Sequence, residues 1–117
     1  MSRKYKFHNK SGLYFVSFAT VNWIDVFTRQ VYLSVLADSV SYCRAEKGME
    51  LYCYCFMPSH VHLIFRIVDN RMPQLVLGDF KRFTSKALVK AIKENNRERR
   101  REFLLWQFKK AAKILPM

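Results

Sequence analysis

The sequence has 117 residues, half of them hydrophobic, with ten Phe and six Tyr, enough for one domain around one core. Lys and Arg number 21 against 9 Asp and Glu, a net charge of +12, which favours an anionic partner, nucleic acid first and a membrane surface second. No apolar stretch approaches a membrane span, "MSRKYKFHNK" lacks the apolar middle of a secretory signal, and three cysteines are an odd count for a disulfide framework; the expectation is a soluble, cytoplasmic, single domain over residues 1–117.

Residues 13–21, "LYFVSFATV", are β-branched and aromatic and read as a strand. "NWIDVF" connects it to a helix with Thr28 as N-cap and Tyr32, Val35, Leu36, Val40 and Cys43 at helical spacing. Gly48 stands where that helix should stop. Residues 50–57, "ELYCYCFM", read as a second strand, with Leu51, Cys53, Cys55 and Met57 on one face and Tyr52, Tyr54 and Phe56 on the other. Pro58-Ser59 signals a turn, and residues 60–67, "HVHLIFRI", complete an antiparallel hairpin. Cys-x-Cys is not zinc spacing, so the cysteines read as reduced and buried.

After a loop, "VDNRMP", a helix is expected from about Gln74 to Lys93, with Leu77, Phe80, Phe83, Ala87 and Ala91 on its apolar stripe. "ENNRERRRE" is a charged connector or helix extension, and "FLLWQFKKAAKIL" a last amphipathic helix. The order β-α-β-β-α with an extra helix gives an α+β, ferredoxin-like (split βαβ) layer: an antiparallel sheet with helices on one face. Nothing after residue 67 alternates as a fourth strand would.

His60 and His62, at i and i+2 of a strand, share one face, while Val61, Leu63, Phe65 and Ile67 face the helices. Two imidazoles at a hairpin rim suit two nitrogen ligands of a divalent ion; a catalytic ion needs a third ligand and an open position. Mg²⁺ prefers oxygen and Mn²⁺ tolerates imidazole. Taken alone, His-x-His fits a solvated sheet face better than a metal site.

Residues 53–66, "CYCFMPSHVHLIFR", resemble the His-hydrophobic-His segment of the HUH endonucleases, and more closely a REP-associated tyrosine transposase, the single-tyrosine branch. "GLYFVSFATV" (12–21) and "DFKRFTSKAL" (79–88) are similar to that family's first strand and second helix. The resemblance implies metal-assisted attack by a tyrosine on single-stranded DNA, leaving a 5′-phosphotyrosine and a 3′-hydroxyl. It implies His60 and His62 as ligands of a divalent metal, Mg or Mn, and a DNA hairpin with single-stranded flanks as partner. The family's nucleophile lies downstream in a Tyr-x-x-Asn-Asn-Pro-like stretch, whereas every tyrosine here (5, 14, 32, 42, 52 and 54) precedes His60. The catalytic helix and fourth strand are therefore expected to be missing through C-terminal truncation, with the chain inactive alone. Tyr42 is the one substitute considered, and its spacing suits packing. A missing fourth strand would leave the first as an exposed apolar edge, a route to a homodimer.

The basic residues suit phosphate contact. "KRFTSK" (81–86), with Lys81, Arg82, Thr84, Ser85 and Lys86, is the leading contact, joined by Arg3 and Lys4 of the N-terminal arm; a helix start with solvated lysines fits as well. Arg97, Arg99, Arg100 and Arg101 form a second cluster. The rival reading is a non-catalytic module for single-stranded nucleic acid, although the aromatic signature of an RNA-recognition fold is absent.

Overall fold

In β1 (Tyr14–Ala19) strict alternation sends Val16 and Phe18 into the core and leaves Phe15 and Ser17 on the opposite face. The computed structural model describes residues 12–114, with side chains through residue 111. A single 3₁₀ turn, Val21–Trp23, follows β1, and then α1 (Gln30–Glu46) begins. Tyr32, Leu36, Ser39, Val40 and Cys43 are the buried stripe of α1, the spacing of a helix with one apolar face.

The N-cap of α1 is Arg29, with no side-chain cap. Thr28, expected in that role, turns its hydroxyl back toward the Asp25 carbonyl. The helix closes through Lys47 N–H donating to Cys43 O at 2.9 Å, and Gly48 follows at φ +70. A Cβ at Gly48 would sit 2.9 Å from the Val68 carbonyl, so both backbone conformation and space require glycine there.

Strands β2 (Met49–Phe56) and β3 (His60–Ile67) form the hairpin, and β1 joins the other side of β3, giving the antiparallel order β1-β3-β2. Met57 and His60 exchange backbone hydrogen bonds of 2.8 and 3.4 Å across Pro58-Ser59. The register shifts between Leu51 and Cys53. This extra residue separates two positions that simple alternation put on one face. Leu51 pairs with Phe65 and packs on the core, whereas Cys53 and Cys55 pair with Ile64 and His62. Both of these cysteines are exposed, which corrects the expectation that they are buried; Cys43 is buried.

All four of Val61, Leu63, Phe65 and Ile67 are buried. They meet α1 and α2 (Pro73–Glu94), whose Val76, Leu77, Phe80, Leu88 and Ile92 complete the core. Pro73 opens α2 at its first turn, where its missing N–H costs nothing. The helix ends at Asn95, so residues 95–100 are a connector rather than an extension, and α3 (Arg101–Ile114) follows. Helix α3 seats Leu104 in the core and reaches the 3₁₀ turn, where Asn22 Nδ2 donates to Gln107 Oε1 at 2.9 Å. The expected α+β, ferredoxin-like arrangement is the one observed: a three-stranded antiparallel sheet with helices on one face. Among the described residues no strand pairs with the outer edge of β1.

Candidate functional site

With the core drawn to one side, β3 presents His60 and His62 on the uncovered face. Their rings are nearly parallel, 5° apart, with centroids separated by 6.2 Å. Each ring is held at Nδ1 by a serine hydroxyl at 2.8 Å, His60 by Ser59 and His62 by Ser17. Ser17 reaches its partner because β1 and β3 pair in the register Ser17↔His62. An imidazole that donates Nδ1–H to such an oxygen keeps its lone pair on Nε2, the atom a metal takes.

The hairpin tip is fixed from outside. Thr20 N–H donates to Ser59 O and Phe27 N–H to Pro58 O, both at 2.9 Å. The same connection carries Trp23 to the edge of the His60 ring, with centroids 5.0 Å apart in a T-shaped contact. Phe15 stacks on His62 from the other end, 5.8 Å away and 8° from parallel. Asn22 and Trp23 both have left-handed backbones, φ 52 and 56. For a bulky residue such as Trp this costs about 1–2 kcal/mol. Beside His62, Phe15, Cys53, Tyr54, Cys55 and Ile64 line a shallow, open, mostly apolar depression of about 300 Å³.

The two imidazoles therefore suit half of a metal site: same face, oriented outward, each with a hydroxyl behind it. Among the described residues, no group of three His, Cys, Asp or Glu is placed to share an ion, so these residues supply two ligands and not a closed set.

The expected contacts on α2 do not lie on this face. Lys81 belongs to α2, on the helix side of the sheet, with its ammonium 5.1 Å from the Phe18 ring centroid; burial holds its pKa below the ordinary value. Arg82 is paired with Asp79. Ser85 and Lys86 are exposed. Thr84 is buried on the stripe that packs α2 on the sheet, with its hydroxyl unpartnered among the described residues. Arg3 and Lys4 lie outside the described residues.

The arginine cluster divides. Arg97 and Arg99 are exposed, but Arg100 binds Asp25 Oδ1 at 2.6 Å, and Arg101 donates to the Lys93 carbonyl. Between them Glu98, whose side chain has no exposed surface, accepts from Arg29 Nε at 3.0 Å, Tyr32 Oη at 2.9 Å and Arg100 N–H at 3.1 Å. Burial alone would raise the Glu98 pKa, but these donors outweigh it and hold it below the ordinary value. Sequence reading took this segment as a solvated connector; the one signal for its structural role is a lone acid inside a basic run.

The tyrosines are scattered. Tyr32 is buried in the Glu98 network. Tyr42 stacks on Phe83, 5.2 Å away, on the helix side. Tyr52 is exposed, Tyr54 lines the depression beside His62, and Tyr14 packs near Phe65. Tyr5 lies outside the described residues. Ser17, Ser59, Phe15 and Trp23 escaped the sequence reading, since each joins the site through strand register or a left-handed turn.

The model of the family described as "Transposase IS200 like" matches residues 11–113. No curated protein and no solved structure matches the chain.

Proposed function

The chain belongs to the IS200-like transposase family, and from that membership we propose that its open sheet face is the metal-and-phosphate surface of an HUH single-tyrosine transposase of the REP-associated kind. The family's class is DNA-cleaving, strand-transferring enzymes, so DNA is the partner. The observation that carries the finer reading is the serine-backed imidazole pair on the uncovered face.

His60 and His62 would hold a divalent ion, Mg or Mn, which when bound supplies charge neutralisation and orientation of a phosphodiester. Ser17 and Ser59 orient the rings, and the hairpin tip holds their spacing. The DNA we propose is a hairpin with single-stranded flanks. Its phosphates are met by the exposed Ser85 and Lys86 of α2, with Lys81 and Arg82 beside them and Arg3 and Lys4 from the N-terminal arm. The α2 residues lie across the sheet from the imidazoles, so one DNA molecule must pass around the sheet edge to touch both.

The family's nucleophilic tyrosine belongs downstream of the histidines, and no tyrosine follows Phe65 here. We therefore propose that these 117 residues bind DNA and do not themselves supply the attacking tyrosine. A homodimer through β1 is the proposed assembly; a concentration-independent monomer in size-exclusion chromatography would remove it.

A second reading, a single-stranded nucleic-acid-binding module without chemistry, is favoured because no third His, Cys, Asp or Glu joins the pair among the described residues. Calorimetry with Mn²⁺ separates the two. Heat seen with the parent chain and lost in His60→Ala/His62→Ala supports the metal site, and equal signals in both leave the binding module. Titration of a hairpin with single-stranded flanks against plain duplex, at two salt concentrations, tests the DNA form.

A further inference from the structure

We propose that Trp23 and Phe15 are stacking platforms for unpaired DNA bases, flanking the imidazole pair in a row Trp23–His60–His62–Phe15. This rests on the reading of the open face as a surface for single-stranded DNA and adds the subsite that holds the bases.

Three observations point to this occupant. The first is exposure. Trp23 is 71% and Phe15 65% exposed, although the sheet has a well-filled core on its other side. Rings in water beside a polar pair contribute little to that core.

The second is the arrangement of planes. Phe15, His62 and His60 have ring planes within 8° of their neighbours, and Trp23 closes the row edge-on. A base offers a flat face to a parallel ring and a phosphate to an imidazole, so such a row can take a nucleotide strand along its length.

The third is backbone conformation. Trp23 keeps a left-handed φ of 56 while burying little of its side chain, so packing does not repay the strain. Thr20 O accepts from Trp23 N–H at 3.1 Å, Thr20 Oγ1 donates to Ile24 O at 2.6 Å, and Gln107 of α3 holds Asn22. The chain invests in holding that one indole beside His60, and strain of this kind collects at ligand-binding positions. The chain's net charge of +12 complements a polyanion and argues against an apolar protein partner on the same face.

The test uses Trp106→Phe, so that Trp23 alone reports fluorescence, titrated with an oligothymidylate and with an abasic oligomer of equal length. Base stacking quenches Trp23 with oligothymidylate and not with the abasic strand. Trp23→Gly and Phe15→Ala each lower oligothymidylate affinity about tenfold, read by anisotropy, and leave the abasic affinity unchanged. Glycine relieves the left-handed strain, so Trp23→Gly keeps its thermal midpoint at or above that of the parent. If both oligomers bind equally and the two variants bind like the parent, stacking is overturned while the DNA-binding reading stands. If the midpoint falls and affinity is retained, Trp23 is a structural residue and the proposal fails. If neither oligomer binds, the DNA-binding reading and this inference fall together.

Discussion

Ser17 stands directly opposite His62 across the β1–β3 ladder, its hydroxyl 2.8 Å from the imidazole Nδ1. The bond depends on register, because a one-residue slip would send Ser17 to the core face and bring Val16 or Phe18 opposite the histidine. Strand β1 thus sets the orientation of a ring on its neighbour β3.

Ser17→Ala should free the His62 tautomer. The expected outcome is a shift from the Nδ1–H form toward a mixture, read by long-range ¹H–¹⁵N NMR, with Mn²⁺ affinity about tenfold weaker by calorimetry. Ser17→Thr, which keeps the hydroxyl, should restore both. An unchanged tautomer in Ser17→Ala would show that the ring is oriented by something else.

Glu98 ties the start of α1 to the connector before α3. Glu98→Ala leaves the Tyr32 hydroxyl and the Arg100 N–H without their acceptor, at about 1–3 kcal/mol, whereas Tyr32→Phe removes two bonds, to Glu98 and from Asn95, for about 1–2 kcal/mol. Urea denaturation measures both. The pH dependence follows from the lowered pKa of Glu98: its folded value lies below its ordinary 4.5. Its contribution is therefore fully present above pH 4.5 and is lost as pH falls through the folded value. Glu98→Gln should flatten that acid limb, and a limb as steep as in the parent would move the acid sensitivity to other carboxylates.

How far the residues alone reveal this molecule depends on the range of the interaction. The hairpin and both histidines on one face follow from a period of 2 and are visible in the chain; on α2 the expected stripe holds at Leu77 and Phe80, while Phe83 is exposed and Leu88 and Ile92 are buried instead. The end of α1 is visible too, in Gly48. The faces of Cys53 and Cys55 are not, because the slip at Leu51/Cys53 breaks the alternation without any glycine or proline to mark it. Trp23 is equally silent, since its left-handed turn is held by contacts from Thr20 and from α3, which is 85 residues from Asn22 at the bonded pair. The burial of Thr84 on the packed stripe of α2 is equally hidden, because a hydroxyl between basic residues gives no sign of it.

Gly48→Ala should lower the thermal midpoint. The added methyl meets the Val68 carbonyl at 2.9 Å and the φ of +70 is unfavourable to alanine, so the cost is about 2 kcal/mol or more. Gly78 lies in α2, where an added Cβ would meet only the Arg82 guanidinium, 3.5 Å away. Gly78→Ala should therefore stabilise by up to about 1 kcal/mol, a contrast that differential scanning calorimetry can read in one experiment. A midpoint unchanged by Gly48→Ala would remove the proposed clash.

The thiols report on the open face. Cys53 and Cys55 are exposed and Cys43 is buried, its pKa pushed up to about 11 chiefly by burial. An aromatic disulfide reagent should label two thiols in the native protein and the third only on unfolding. Cys55 pairs with His62, so oligothymidylate should slow labelling of Cys55, followed by mass spectrometry of the peptide. Protection absent at saturating oligomer would place the DNA elsewhere.

Strand cleavage is the sharpest test of whether these residues supply a nucleophile. Covalent capture needs a tyrosine hydroxyl in line with a phosphate held over His60 and His62. Tyr32 is locked beneath Glu98 and Tyr42 is stacked on Phe83 across the sheet, so neither reaches the face without unfolding. Tyr54 lines the depression beside His62, which makes it the informative control. Incubating the chain with an end-labelled hairpin carrying single-stranded flanks, with Mn²⁺, should give no protein–DNA adduct on a denaturing gel, with or without Tyr54→Phe. An adduct lost in Tyr54→Phe would instead make that tyrosine the nucleophile and this chain an active enzyme. Adding a tyrosine-bearing relative in trans should restore an adduct that maps to the added protein, because this chain is expected to contribute the phosphate-holding face and not the attacking oxygen.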